Sequence, residues 1–356
     1  MNPLLAVKPL GQRIWLDNLS RELLAGPLAR LIEQDGLAGV TSNPAIFQKA
    51  IASGLGYADD LARLKAEALT PEQRFEALAV PDVQMACDLF AQSYQSSAGL
   101  DGYVSLEVSP HLARDTEGTL AAARRLWRDI NRPNAMIKIP ATPESLPAVT
   151  AAIADGININ VTLIFSLPQL QAVFDAYTAG LMQRQTKGLP LQGIRAVASL
   201  FLSRVDTHVD RLLADLPGAA GLQGKAAIAL AKTAYQTYLG HFEGSAFAGL
   251  QAAGAHGQRV LWASTGTKNP AYSDVMYVDE LIGAETVNTL PDATLAAFRD
   301  HGRAEPRLTQ NLPQAEQTLA ELAALGIDLD AVGDTLQYEG LKLFDDAFAS
   351  LLAQLS

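Results

Sequence analysis

Three observations predict an α/β fold in which eight parallel strands close into a (β/α)8 barrel of the TIM type with additional helices. Short β-branched apolar runs recur eight times along the chain. Each is closed by polar residues and followed by a stretch of helical pattern, the order expected of buried parallel strands with crossover helices. Neither a G-x-G-x-x-G after the first run nor a G-x-x-x-x-G-K-S/T anywhere is present. The open nucleotide-binding sheets therefore lack their usual signature.

The runs, in order, are IWLDNL (14–19), LAGVTSN (37–43), YVSLEVS (103–109), NAMIKIP (134–140), ININVTLIF (157–165), RAVASLFLS (195–203), QRVLWAST (258–265) and ETVNTLP (285–291). Helix starts are expected at Thr142-Pro143-Glu144, Ser166-Leu167-Pro168-Gln169 and Asn269-Pro270, where a capping residue stands beside a proline suited to a first turn. The long interval between 43 and 103 holds the capping box Thr70-Pro71-Glu72-Gln73 and then VPDVQMACDLFAQSY. Extra helices are expected there, at about 50–100. In 332–355, Leu341, Phe344, Phe348 and Leu351 recur at helical spacing and predict an amphipathic helix packed on the body. No internal repeat, low-complexity tract or Gly/Pro/Ser-rich linker divides the chain, so a single domain over 1–356 is expected.

Composition sets the outer limits. Of 356 residues, 49% are hydrophobic and 18% charged. Such a chain can bury a large core, which excludes wholesale disorder. The net charge of −11 argues against a nucleic-acid or anionic-membrane surface, though local basic residues can still hold a small anion. Cys87 is the single cysteine, so no disulfide framework and no cysteine zinc site is expected. His111, His208, His241, His256 and His301 show no metal-ligand spacing. Trp15, Trp127 and Trp262 are dispersed and read as packing residues. MNPLLAVKPLGQRIW has no basic start followed by an apolar segment, and no apolar run approaches the ~18 residues of a membrane span. The expectation is a soluble, cytoplasmic protein.

A barrel carries its chemistry at the C-terminal ends of its strands. The polar residues late in each run are Asp17, then Thr41-Ser42-Asn43, Glu107, Lys138, Asn160 with Thr162, Ser199, and Ser264. Lys138 is the most informative, because it sits in Met136-Ile137-Lys138-Ile139-Pro140. A lysine in a buried strand must be paired or lose its charge. As a neutral amine it condenses with a ketone or aldehyde to form a Schiff base, and the iminium then serves as an electron sink for C–C cleavage. As a structural residue it pairs with Glu107 on the neighbouring strand. The strand pattern alone leaves both readings open. Glu107 and Asp17 supply the acid and base that Schiff-base chemistry needs; the plainer alternatives are a counter-ion and a strand-end turn. Arg204 follows the sixth run and offers bidentate recognition; Lys268 follows the seventh in a Ser/Thr/Gly-rich turn of the kind that holds phosphate in barrels. Taken singly, both are also ordinary surface cations.

These segments resemble the transaldolases, in particular the longer bacterial variety. The resemblance runs from about residue 11 to the C-terminus. It rests on GVTSNPAIF (39–47), VSLEVSPHLA (104–113), MIKIPAT (136–142), GININVTLIFS (156–166), ASLFLSRVD (198–206) and LWASTGTKNP (261–270). It implies a lysine nucleophile on the fourth strand, which is Lys138 here. It also implies a catalytic water held by Glu107 and Thr162, and a proton-handling aspartate in Asp17. Asn43 and Asn160 would hydrogen-bond the bound three-carbon unit, Ser199 and Phe201 would line the pocket, and Arg204 would bind phosphate. Many members read Ser-Phe-Arg after strand seven. Here Ser264-Thr265-Gly266-Thr267-Lys268 stands there, so Ser264 and Lys268 become the phosphate candidates.

The resemblance further implies transfer of a dihydroxyacetone unit from sedoheptulose 7-phosphate to glyceraldehyde 3-phosphate in the pentose phosphate pathway. The partners are sugar phosphates, and no metal or organic cofactor is required. A homo-oligomer is compatible with the sequence but not read from it. Two alternatives stand beside this reading: an aldolase that releases free dihydroxyacetone, and a non-catalytic barrel acting as a binding module.

Overall fold

The computed structural model describes residues 2–356. Eight parallel strands form a closed barrel in sequence order. They are β1 (Gln12–Asp17), β2 (Gly39–Thr41), β3 (Tyr103–Glu107), β4 (Ala135–Pro140), β5 (Ile159–Ile164), β6 (Ala196–Phe201), β7 (Arg259–Ala263) and β8 (Thr286–Leu290). Closure is made by β1 and β8, paired from Gln12↔Thr286 to Leu16↔Leu290. All eight expected runs contain a strand, but the strands are shorter than the runs. Asn18, Leu19, Ser42 and Asn43 fall beyond the last ladder pairs of their strands and begin the loops. Every residue of β3, β4, β5, β6 and β8 is buried. Strands covered on both faces in this way read as unbroken apolar runs.

At the end of the barrel where the strands begin, buried amides replace apolar residues. Gln12, Asn134 and Asn158 donate to loop carbonyls: Leu281 O at 2.7 Å, Gly102 O at 2.7 Å and Pro133 O at 2.9 Å. This satisfies backbone groups that would otherwise lie dry.

Between β2 and β3 run four helices, Pro44–Ala52, Ala58–Lys65, Pro71–Leu89 and Ala91–Ser96. Thr70 and Gln73 form the expected capping box, and Ser166 caps Leu167–Thr186. Two expected helix starts are displaced. After β4 the helix spans Leu146–Asp155, because the Thr142 hydroxyl accepts from the Ser145 N–H at 3.2 Å and closes a turn first. At Asn269-Pro270 no helix begins. The Asn269 side chain accepts from Ala271 N at 2.9 Å and its carbonyl from Tyr272 N at 3.1 Å. Such asparagine turns compete with helix, and the next helix is the short Met276–Asp279.

The C-terminal helix spans Leu329–Leu355 and buries Phe344, Phe348 and Leu351. It lies across the mouth of the barrel. A Cβ on Gly333 would stand 2.6 Å from Ser166 Cβ, and one on Gly340 3.0 Å from Leu163 Cδ2. Only a helix with small residues at these positions can settle so low. Gln337 Nε2 fastens it by donating to Ala141 O at 3.0 Å and Leu163 O at 3.1 Å, beyond β4 and within β5.

Candidate active site

Strand register places the key groups. Glu107 on β3 stands beside Lys138 on β4, which stands beside Asn160 on β5. The Lys138 amine lies 3.3 Å from Glu107 Oε2 and donates to the Ser42 carbonyl at 3.2 Å. The Phe344 ring of the C-terminal helix covers the amine at 5.8 Å. Lys138 is 5% exposed and Glu107 7%, so this is a buried charge pair, with the remaining exposure of Lys138 opening into the mouth. Burial pushes the Glu107 carboxyl up to about 7, against the lowering influence of Lys138.

A cavity of about 600 Å³ fills the mouth. Asp17, Asn43, Lys138, Thr162, Ser199, Phe201, Arg204, Ser264 and Lys268 all line it. Thus residues from six different strand ends or their following loops converge. Two expected residues do not reach it. Asn160 is fully buried; it donates to Ser105 Oγ at 3.1 Å and accepts from Ser199 Oγ at 2.7 Å. Glu107 stands behind Lys138, beside a narrow gap shared with Ser42, Asn43, Pro44 and Phe47.

Asp17 closes β1 and accepts from the Thr41 hydroxyl at 2.7 Å. Thr41 in turn lies 2.7 Å from the Thr289 hydroxyl. Thr41 has one proton and gives it to Asp17, so Thr289 is the donor to Thr41. Burial raises the Asp17 carboxyl, while Lys138 and the Thr41 hydrogen bond pull it back. Asn43 caps the helix Pro44–Ala52 by accepting from Ile46 N at 3.0 Å. Its side-chain oxygen is thereby engaged, and the residue lines the cavity. Thr162 sits within a register shift between Val161 and Ile164, beside Leu163 at φ 59. Irregularities of this kind re-aim a side chain. The buried oxygens Thr162 Oγ1 and Glu107 Oε2 have no hydrogen-bond partner among the described residues.

The basic end lies beyond β6 and β7. Arg204 makes no ion pair among the described residues, and its buried Nη1 lacks a partner. Burial pulls its pKa down from the ordinary value. Its guanidinium packs 5.5 Å from the Phe201 ring. A desolvated guanidinium with open donors is suited to an anion. Lys268 is exposed and lines the same cavity.

Sequence reasoning missed Thr289, Phe344, Lys49 and Asp292 among the lining residues. Thr289 was within reach, as a late polar residue of the eighth run. Phe344 carried only a helical spacing, which says that it is buried but not against what.

A family model described as Transaldolase/Fructose-6-phosphate aldolase matches residues 14–355. A transaldolase of Thiobacillus denitrificans is 56% identical over 358 residues, covering 100% of both chains. One from Neisseria gonorrhoeae is 52% identical over 350 residues, covering 98% of each. Transaldolase 1 of Streptomyces coelicolor is 47% identical over 350 residues, covering 97% of this chain and 92% of its own. The likeness thus takes in every strand of the barrel and the helix that closes over its mouth, and the chain belongs to the transaldolase/fructose-6-phosphate aldolase family.

Proposed function

We propose that this chain is a transaldolase acting through a Schiff base on Lys138, with the barrel and its flanking helices over 1–356 as one catalytic domain. One observation carries the reading above others: a buried amine, 3.3 Å from a carboxylate, at the floor of a polar cavity that ends in an unpaired guanidinium. A purely structural ion pair has no need of a cavity beside it.

The neutral amine of Lys138 attacks the C2 carbonyl of a ketose phosphate such as sedoheptulose 7-phosphate. Glu107, poised at about 7, exchanges protons near neutrality and takes the ammonium proton. A water between Glu107 Oε2, whose near partner is the Lys138 amine, and Thr162 Oγ1, which has none among the described residues, would bond to both. It would carry a proton to the carbinolamine hydroxyl, which leaves as water and gives the iminium. Asp17 then takes the C4 hydroxyl proton. The C3–C4 bond breaks, its electron pair flows to the iminium, and an aldose phosphate departs from the enamine.

The enamine adds to glyceraldehyde 3-phosphate by the reverse steps, Asp17 returning the proton. Hydrolysis of the new imine releases fructose 6-phosphate. Phe344 shields the enamine from bulk water, which favours transfer over protonation. Asn43 and Ser199 hold the three-carbon unit, with Asn160 orienting the Ser199 hydroxyl. Phe201 forms a wall, and Arg204 with Lys268 and the Ser264 turn anchors phosphate and aligns the chain.

Borohydride reduction in the presence of fructose 6-phosphate tests the reading. The expected product is a reduced three-carbon adduct on Lys138, found by peptide mass spectrometry. An adduct on another residue removes Lys138 from its role, and no adduct under turnover conditions removes the mechanism. Assay with and without an acceptor aldehyde separates transfer from release of free dihydroxyacetone.

A further inference from the structure

The loop that carries Lys268 leaves the barrel at Ser264, which adopts φ 55. It runs through Asn269, Pro270 and Ala271, all exposed. Nothing about such a loop fixes where a lysine on it stands. Yet its far end is pinned. The Tyr272 hydroxyl donates to Asp210 Oδ2 at 2.6 Å. Asp210 is on the helix Ser203–Leu213, which carries Arg204 in its first turn. The other oxygen of Asp210 accepts from Gly224 N at 2.8 Å. The Tyr272 ring lies directly on Gly224, where a Cβ would stand 2.7 Å from its Cζ. Gly224 also has φ 68, so this position favours glycine twice over.

A second tie follows close behind: the Tyr277 hydroxyl donates to Asp206 Oδ2 at 2.6 Å. At the root of the loop, the Ser203 and Ser264 hydroxyls lie 2.8 Å apart. The same helix therefore holds the β7 loop at its start and its end. Between these ties a small cavity of about 190 Å³ remains, bordered by Asp206, Asp210 and Lys268.

We propose that Tyr272, seated on Gly224 and bonded to Asp210, is a positioning residue that sets Lys268 at a fixed reach from Arg204 and so determines recognition of the acceptor's phosphate. This rests on the phosphate role given to both cations above. Without the latch, the loop between the ties at Ser264 and Tyr277 loses the one nearest to Lys268, which then stands beside the two carboxylates of the small cavity with more freedom. A flexible ammonium loses more freedom on binding an anion than one already held in place.

The test is steady-state kinetics with glyceraldehyde 3-phosphate and with unphosphorylated glyceraldehyde as acceptor. Tyr272→Phe keeps the ring on Gly224 and removes one hydrogen bond. It is expected to raise KM for the phosphorylated acceptor roughly three- to tenfold, the scale of one lost hydrogen bond. The maximal rate and the KM for unphosphorylated glyceraldehyde stay as in the parent. Gly224→Ala displaces the ring without altering the tyrosine and is expected to act in the same direction. Lys268→Ala combined with Tyr272→Phe is expected to be no worse than Lys268→Ala alone.

Equal effects on both acceptors, full additivity of the double variant, or an unchanged KM in both Tyr272→Phe and Gly224→Ala would overturn the latch while leaving the phosphate site standing. If Arg204→Ala and Lys268→Ala are themselves silent toward the phosphorylated acceptor, the phosphate reading fails and the latch falls with it. Thermal melts of each variant confirm that the fold is retained.

Discussion

Replacing Lys138 and Glu107 together by Met and Gln should make the protein more stable, although it abolishes the proposed chemistry. Burial pushes the Glu107 carboxyl from 4.5 to about 7. Because the folded value is raised, the group favours folding fully below about 4.5, and that contribution is lost as pH rises toward about 7. Over that window the displacement corresponds to roughly 3 kcal/mol at about 1.4 kcal/mol per pH unit. That value already includes the pull of the amine 3.3 Å away, itself buried and with one carbonyl partner, so at pH 8 the pair does not recover this cost from its own attraction. Buried pairs often fail to do so, and isosteric neutral replacement is neutral or stabilising by about 1–4 kcal/mol.

Breaking the pair on one side should have the opposite result. Glu107→Gln removes the adjacent carboxylate and leaves the ammonium with Ser42 O, the Phe344 ring and the more distant Asp17, a loss of about 3–5 kcal/mol. Lys138→Met removes the charge that lowers the Glu107 carboxyl, so the window of lost stability, which opens near 4.5, extends above about 7. That variant should therefore weaken progressively from pH 6 to pH 8. Urea unfolding followed by circular dichroism at both pH values gives all four stabilities. A double variant less stable than the parent at pH 8 would show that the pair is a net stabiliser, and the reasoning would be wrong.

Three further outcomes follow from the same geometry. Thr41→Val removes the hydrogen bond that favours ionised Asp17, so the acid limb of kcat/KM should move to higher pH, by less than about one unit; a fixed limb would show that Asp17 is not the titrating group. Phe344→Leu opens the cover over the Lys138 amine and should increase free dihydroxyacetone formed per transfer, measured by coupled assay with acceptor present; an unchanged ratio would place the exclusion of water elsewhere. Arg204→Ala should raise KM for phosphorylated acceptors by at least about tenfold, with little effect on unphosphorylated ones, and an equal effect on both would argue against a phosphate contact.

The strands were legible because a strand buried on both faces has no polar side to interrupt it. In Met136-Ile137-Lys138-Ile139-Pro140 the lysine is therefore conspicuous, and its pairing with Glu107 follows from neighbouring strands of similar length. What a single strand does not reveal is height along the barrel axis. Asn160 and Thr162 alternate with apolar residues on the same strand, and both point inward. Asn160 stands level with Lys138 and Thr162 level with Pro140. The lower one is consumed by Ser105 and Ser199, whereas the upper one reaches the cavity. That difference is fixed by register across three strands, and register depends on partners that are far apart in sequence.

The same holds for the mouth's cover. The spacing of Phe344 and Phe348 predicts a buried face for the C-terminal helix, but that face has several surfaces available to it. It is Gly333 and Gly340, by allowing the helix to approach Ser166 and Leu163, that let it settle over the lysine. In the helix alone these glycines read as weak points, each disfavoured by about 1 kcal/mol against alanine. Their purpose appears only when the barrel beneath them is present. A local defect in propensity is thus the signature of a close approach required elsewhere, and it is where a one-dimensional reading must give way to the packed structure.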